Sequence, residues 1–310
     1  MNSETGSVFV LSDARSGSTL LDQCLGGHPD LVSLGEVHWL KAYVHQDRAT
    51  YNPRHPLVCS CGNVLTECPF WKLVESALQR PLDSLQLRAR MTENRTSQPW
   101  IDRIGRLPGR VVESFPTLYR HRVVRALLGD DRMTADSIAL IRAVHKATGC
   151  HYCVDSSKSP LRFRAVYDAD PANTRAIVLV RDFRAVVHSK MKRGASLEGA
   201  ATGWCRKMQQ IEAITSDLPP GHACILKYES LCKSPRVELE RICAFLGIHL
   251  AETMLQRPES TTHTIGGSPS KFDPARVRIE ADAAFESAFS EDDLHRMRDI
   301  VGDVALRWGY

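Results

Sequence analysis

A short β-branched and apolar run, Ser7 to Leu11 (SVFVL), passes through a small polar stretch, Ser12 to Ser18, straight into a helical pattern from Thr19 to Leu25. No other part of the 310 residues limits the fold as tightly. The run reads as a buried strand, and Gly26-Gly27 stops the helix. His28-Pro29-Asp30 then turns the chain into a second short strand, Leu31 to Leu34. A strand–loop–helix–strand opening predicts a parallel α/β sheet. The loop reads as an anion site, with a plain strand-to-helix turn using Ser for capping as the alternative. Backbone N–H groups at a helix start point at a ligand and the helix dipole favours negative charge there. Gly17 lets the backbone come close, and Ser18 and Thr19 offer hydroxyls. It is not a Walker loop, because Ser12 stands where the first Gly belongs and Ser18 where the Lys belongs.

The rest of the chain continues the alternation. Strand signals return at His151 to Val154, Arg175 to Val180 and Ala223 to Tyr228. Helical patterns separate or follow them at Leu161 to Ala169, Ala185 to Lys192, Leu197 to Thr215 and Arg236 to Leu246. This predicts right-handed βαβ crossovers. Ser290-Glu291-Asp292-Asp293 is a capped, acidic start for a last helix. Residues 40–150 are poorer in strand signals and richer in Pro and Arg, with a helix over Thr134 to Thr148. The expectation is a three-layer, P-loop-like α/β domain spanning 1–310, with 40–150 as a mostly helical insertion on the substrate side.

A second segment repeats the logic of the first. Ile177 to Val180 is an apolar strand ending in Arg181, and a helix follows that carries Ser189 two turns on. Arg offers a planar, permanently charged fork for phosphate. Taken alone, the segment reads first as an Arg–Asp surface pair followed by an amphipathic helix.

Together the two segments decide. Arg15-Ser16-Gly17-Ser18-Thr19-Leu20-Leu21 with His28-Pro29 resembles the 5′-phosphosulfate loop of sulfotransferases that use 3′-phosphoadenosine-5′-phosphosulfate (PAPS), and is most similar to the branch of tyrosylprotein and bacterial enzymes. Ile177 to Ser189 resembles the family's 3′-phosphate segment. The loop departs from the family's usual Gly-x-Pro-Arg start at Ser12 and Ala14, and Phe183 stands where Pro is usual. A third, weaker match is His263 to Pro269, which resembles a Gly-Asn-Pro loop of the same branch. The resemblance implies PAPS as donor, with Arg15, Ser16, Gly17, Ser18, Thr19, Leu20, Arg181, Ser189, Tyr228, Gly267 and Ser268 binding it and no metal required. It implies Glu36, in Leu34-Gly35-Glu36-Val37-His38, as general base, with His38 as runner-up. Lys158, after the strand ending at Val154, would neutralise the leaving diphosphate, Arg15 would assist at the sulfuryl group, and Asp155 and Ser157 would orient Lys158.

Two other functions compete. A phosphoryl-transferring kinase would want a loop Lys, which is missing. A regulatory protein that only binds the diphosphate product would need no base. The formal charge of +4 is too small for the concentrated basic stripe of a nucleic-acid binder. The N-terminus lacks a secretory pattern and no apolar run reaches a membrane span, so a cytoplasmic protein is expected. The acceptor is expected to be a small molecule or glycan, with phenol, lipid and peptide open, and the oligomeric state is open too.

Ten dispersed cysteines read as thiols. Cys59-Ser60-Cys61-Gly62 and Cys68-Pro69-Phe70-Trp71 carry enough sulfur for a zinc knot with His55 as fourth ligand. One intervening residue is tighter than the usual Cys-x2–4-Cys, so a thiol-lined structural turn is expected ahead of zinc. Trp100, Tyr119 and Trp204 are candidates to line an acceptor pocket, although aromatics so spaced are more often core.

Overall fold

The structure, a computed structural model, describes residues 5–49, 56–89, 116–256, 262–272, 279–280 and 283–310. Five parallel strands form one sheet: β1 (Gly6–Leu11), β2 (Leu31–Ser33), β3 (Tyr152–Asp155), β4 (Thr174–Val180) and β5 (Ala223–Lys227). Their order is β2-β3-β1-β4-β5. β1 runs beside β4 from Ser7↔Thr174 to Leu11↔Val178, and beside β3 from Gly6↔Tyr152 to Phe9↔Asp155.

Alternation along the strands sends side chains to two faces, and both are covered, as a parallel sheet requires. Phe9, Leu11, Ala176, Val178 and Val180 face one side. There they meet α6 (Pro160–Ala169), α7 (Phe183–Met191), α8 (Leu197–Thr215) and α11 (Glu291–Arg307). Val8, Val10, Val154, Ile177, Leu179 and Leu226 face the other, against α1 (Ser18–Gly26), α9 (Tyr228–Lys233) and α10 (Pro235–Leu246). A third cluster beyond β2 gathers Leu34, Tyr43, Trp71, Leu140 and Val144. It joins α2 (Leu40–Val44), α3 (Pro69–Leu78) and α5 (Asp131–Thr148), while α4 (Arg122–Leu127) lies nearer the first core. Tyr119 and Trp204 are fully buried in that first core, so they pack rather than line a pocket. Trp100 and His55 lie outside the described residues.

The strands and helices fall where periodicity predicts, to within a few residues. The last helix is capped by Ser290 and Asp293 in a reciprocal box, as its acidic start implies. No helix among the described residues is long and apolar enough to cross a membrane. All ten cysteines are thiols.

The chain leaves β1 toward β2 and leaves β4 toward β5, on opposite sides of the sheet. Their carboxyl ends therefore open a crevice at the switch point, where ligands of open α/β sheets bind. One buried ion pair shapes the neighbouring edge. Asp155, the last residue of β3, meets Arg162 of α6 at 2.5 Å, with side chains 4% and 1% exposed. Arg162 also donates to Ser137 Oγ (2.8 Å) and Ser157 Oγ (3.2 Å).

Removing one partner of such a pair leaves an uncompensated buried charge, which costs about 3–5 kcal/mol. Arg162→Met is expected to lose about that much stability in urea unfolding. A loss under about 1 kcal/mol would show that the pair does not hold this edge.

Candidate active site

Three groups of candidate side chains lie on loops at the carboxyl edge of the sheet. The first, after β1, contains two left-handed residues, Arg15 (φ 74°) and Gly17 (φ 89°). Gly17 is required twice over, because an added Cβ would also lie 2.2 Å from the Tyr228 ring. Ser16 and Ser18 are buried beside it. Asp13 anchors the loop by accepting a bond from the Ala14 amide (2.8 Å) and pairing with Lys190 of α7.

The second loop, after β4, meets the first. Arg181 donates to the Arg15 carbonyl (3.0 Å), and its guanidinium lies over the Tyr228 ring at 4.4 Å. Arg15 Nε donates to Ser189 Oγ (2.9 Å). Asp182 does not neutralise Arg181: it caps α7 and pairs with Arg184 at 2.5 Å. Arg181 Nε is buried without a hydrogen-bond partner among the described residues. Burial, with Arg193 and Arg181 nearby, lowers the Arg15 pKa. Among the described residues no carboxylate pairs with Arg15 or Arg181, so the group could take an anion.

The third group lies after β2 and β3. Gly35 is left-handed and so close to Ile265 that an added Cβ would sit 2.1 Å from its carbonyl oxygen. Glu36 follows, donating its amide to that carbonyl at 2.8 Å. The Glu36 carboxylate pairs with Lys158, both side chains being largely buried. Burial alone would raise the Glu36 carboxyl, but the ammonium of Lys158, with His38, outweighs it and holds the pKa below the usual carboxylate range. Burial lowers His38 to about 3. Asp155 and Ser157 shape the loop rather than touching Lys158. Asp155 Oδ1 accepts the Ser157 amide (2.8 Å), and Ser157 Oγ accepts the His38 amide (3.2 Å). Lys158 sits there in the left-handed region, φ 55°.

The loop at 262–268 closes the site. Ser268 donates its amide to Thr19 Oγ1 (3.0 Å), Gly267 packs on Thr19, and Gly266 donates to the Tyr43 hydroxyl (2.9 Å). Leu20 spends its amide inside the helix turn, on Gly17, and its side chain packs against the second core. Arg15 is bonded into the Ser189 and Arg181 group, not into the Glu36–Lys158 pair. Several participants carry no local sequence signal. Lys190 and Arg193 come from α7 and the turn after it. Lys207 comes from α8, its pKa lowered by burial with Lys190 and Lys158 nearby, despite Asp13. Asp22, on α1, is fully buried and accepts from Ser33 and Ser156 hydroxyls at 2.5 Å each.

Comparisons with known proteins bear on the family and the fold. A model of the sulfotransferase family matches residues 7–252, or 246 of the 310. A Caenorhabditis briggsae protein named as a protein-tyrosine sulfotransferase is 26% identical over 141 residues, covering 42% of this chain and 50% of that one. Protein-tyrosine sulfotransferase 2 of Gallus gallus is 26% identical over 141 residues, covering 43% and 38%. The matched stretch thus spans about half or less of these relatives' length. Among solved structures, the sulfotransferase domain from the curacin biosynthetic pathway superposes with a TM-score of 0.59 at 20% identity, covering 99% of this chain and 98% of that one. A Mycobacterium avium sulfotransferase superposes at 0.51 and 14% identity, covering 98% and 77%. At these identities the superpositions establish the fold.

Asp22 gives the site a pH signature. Burial raises its pKa to about 6, against the lowering pull of the two hydroxyls. The folded state therefore binds the proton more tightly than the unfolded chain does. Its contribution to stability grows as pH falls through about 6 and is complete below the unfolded value near 3.8. The stability of wild type relative to Asp22→Asn is expected to rise between pH 7 and pH 5 in urea unfolding. A constant difference would mean that Asp22 is not held out of water.

Proposed function

The chain belongs to the sulfotransferase family, and from that premise we propose that it transfers a sulfuryl group from PAPS to a hydroxyl or amine acceptor by in-line displacement. The observation that carries this reading is the pair of charge groups at one sheet edge. One is the uncompensated cluster of Arg15 and Arg181 beside Ser189, and the other is the buried Glu36–Lys158 pair.

The donor's anions fit the residues present. Arg181, Ser189 and Arg15 would hold the 3′-phosphate, and the Arg15–Thr19 loop the 5′-phosphate, with Gly267 and Ser268 bracing Thr19. Arg15 therefore serves the phosphate side more than the sulfuryl side that the sequence suggests. A nucleoside triphosphate with Mg²⁺ is the poorer match, since the loop has no Lys in the Walker place.

Glu36 is the better base. A histidine held at about 3 is far from the operating pH, whereas a buried carboxylate changes with its neighbour. Lys158 restrains Glu36 while they are paired. When a sulfonate draws the ammonium away, burial remains and the carboxyl rises toward neutrality. Glu36 then takes the acceptor's proton, the acceptor oxygen or nitrogen bonds to sulfur, and the S–O bond to the 5′-phosphate breaks. Lys158 neutralises the oxygen that keeps the electron pair. Residues 40–150 would supply the acceptor side, and the acceptor is proposed as a small molecule or glycan. The cell compartment is proposed as cytoplasmic.

Calorimetry with 3′,5′-diphosphoadenosine tests the donor site, with 5′-AMP and ATP as controls. Metal-independent binding is expected, weakened about 10–100-fold by Arg181→Ala, the worth of a charge-assisted hydrogen bond. A preference for ATP with Mg²⁺ would overturn the reading. Glu36→Gln is expected to keep diphosphate affinity while PAPS-dependent turnover on an acceptor panel drops at least about 100-fold. Equal turnover would remove Glu36 from the chemistry, and no turnover in wild type across the panel would favour a non-catalytic binder.

The two rate profiles should also part. The acid limb of kcat/KM reports the free enzyme, where Glu36 is held low, so activity is lost only as pH falls below the ordinary carboxylate range. The acid limb of kcat reports the complex and is expected at higher pH. Coincident limbs would show that Lys158 stays on Glu36.

A further inference from the structure

The fold brings together four ligating side chains that the transfer chemistry does not use. Cys59, Cys61, Cys68 and His263 place three Sγ atoms and one imidazole nitrogen within 4.8 Å of one another. Cys68 Sγ lies 3.6 Å from Cys61 Sγ and 3.7 Å from Cys59 Sγ. His263 Nδ1 lies 3.2 Å from Cys68 Sγ and 3.8 Å from Cys59 Sγ. A Zn²⁺ ion with bonds of about 2.3 Å to sulfur and 2.0–2.1 Å to nitrogen has tetrahedral edges of about 3.7–3.8 Å between sulfurs and about 3.5 Å from sulfur to nitrogen. The measured edges fall around those values, and no two of the sulfurs are joined as a disulfide.

We propose that Cys59, Cys61, Cys68 and His263 form a structural zinc site that clamps the 262–268 loop onto the site's edge. Both halves are built to hold the ligands. The Cys59 amide donates to the Asn63 carbonyl and the Gly62 amide to the Cys59 carbonyl, each at 2.8 Å, which curls 59–63 tightly enough for a single residue to separate two ligands. Ser60 bonds to Thr262 and Thr264 on the 262–268 loop, and Trp71 Nε1 donates to the His263 carbonyl at 3.1 Å. The Phe70 ring stacks on His263, centroids 5.1 Å apart. Burial favours neutral thiols at Cys59 and Cys68 and a neutral imidazole at His263. A bound dication reverses this for sulfur, releasing the thiol protons as it binds, while the neutral imidazole is already the ligating form.

Four protein ligands leave no open position, so the ion is structural and takes no part in the transfer. The proposed transfer steps are unchanged by it, and the thiol-lined turn becomes a metal centre. Its fourth ligand is His263, 195 residues beyond Cys68, instead of His55. What it secures is the next few residues. Ile265 bridges Gly35, Gly266 lies against Glu36, and Ser268 binds Thr19.

The test uses untagged full-length protein, purified with a non-thiol reductant and dialysed against metal-free buffer. Elemental analysis is expected to find about one zinc per chain. Cobalt substitution is expected to give the intense visible bands of a tetrahedral thiolate site. Cys61→Ser, at the most exposed of the three cysteine ligands, is expected to weaken zinc retention at least tenfold, while the remote Cys205→Ser does not. Amide exchange at Ile265, Gly266 and Ser268 is expected to quicken at least tenfold in Cys61→Ser. Wild-type protein with less than a tenth of a zinc per chain, or with a Cys61–Cys68 disulfide, would overturn the site. Zinc loss with unchanged exchange at 265–268 would overturn its role as a clamp.

Discussion

At the end of β3 one buried carboxylate holds the acceptor side of the site in place. Asp155 uses one oxygen to fix the Ser157 amide and the other to meet Arg162 from α6. Arg162 in turn bonds Ser157 and Ser137, so the strand, the following loop, α6 and α5 share one network. Taking both charges out of water costs several kcal/mol per ion, and only full hydrogen bonding offsets it. That makes the network intolerant of displacement. The consequence is geometric: Lys158 begins from a left-handed backbone position beside this network, and its ammonium pairs with Glu36.

The donor side works by the opposite principle. Among the described residues, Arg15 and Arg181 have no carboxylate partner and bond only to neutral oxygens. The carboxylates that could have neutralised Arg181 and Arg15 are committed elsewhere, Asp182 to Arg184 and the α7 cap, and Asp13 to Lys190. Positive potential then accumulates between β1 and β4, where the strand order opens the crevice. A polyanion entering there relieves repulsion already present among Arg15, Arg181 and Arg193. The two halves of the edge thus differ in kind, one self-neutralised as an ion pair, the other a group of cations with no carboxylate partner among the described residues.

The 262–268 loop links them. It touches Thr19 of the donor loop and Glu36 of the acceptor side, and it is itself tied to the cysteine turn at 59–68. A loop that spans both halves must be held from outside, because its few backbone bonds cannot offset the entropy of ordering it. Trp71, Ser60 and the sulfur cluster supply that hold.

Much of this was legible in the chain. Strand and helix periods placed β1, β4, α8 and α10, and Gly17 beside small hydroxyl residues marked the anion loop, because those signals are local: a buried parallel strand needs a continuous apolar run, and a helix start needs free amides. Arg181 and Ser189 stand out only through the family resemblance, because a strand end and a helix by themselves read as an Arg–Asp surface pair and an amphipathic face. Partners were not readable. Lys158 finds Glu36 across 122 residues, Arg15 finds Ser189 across 174 and His263 finds Cys59 across 204. Those pairings follow from the strand order, which is set by how crossovers pack over both faces, and no local pattern encodes it. The burial that sets the charge states of Asp22, Glu36 and His38 exists only once the layers have closed.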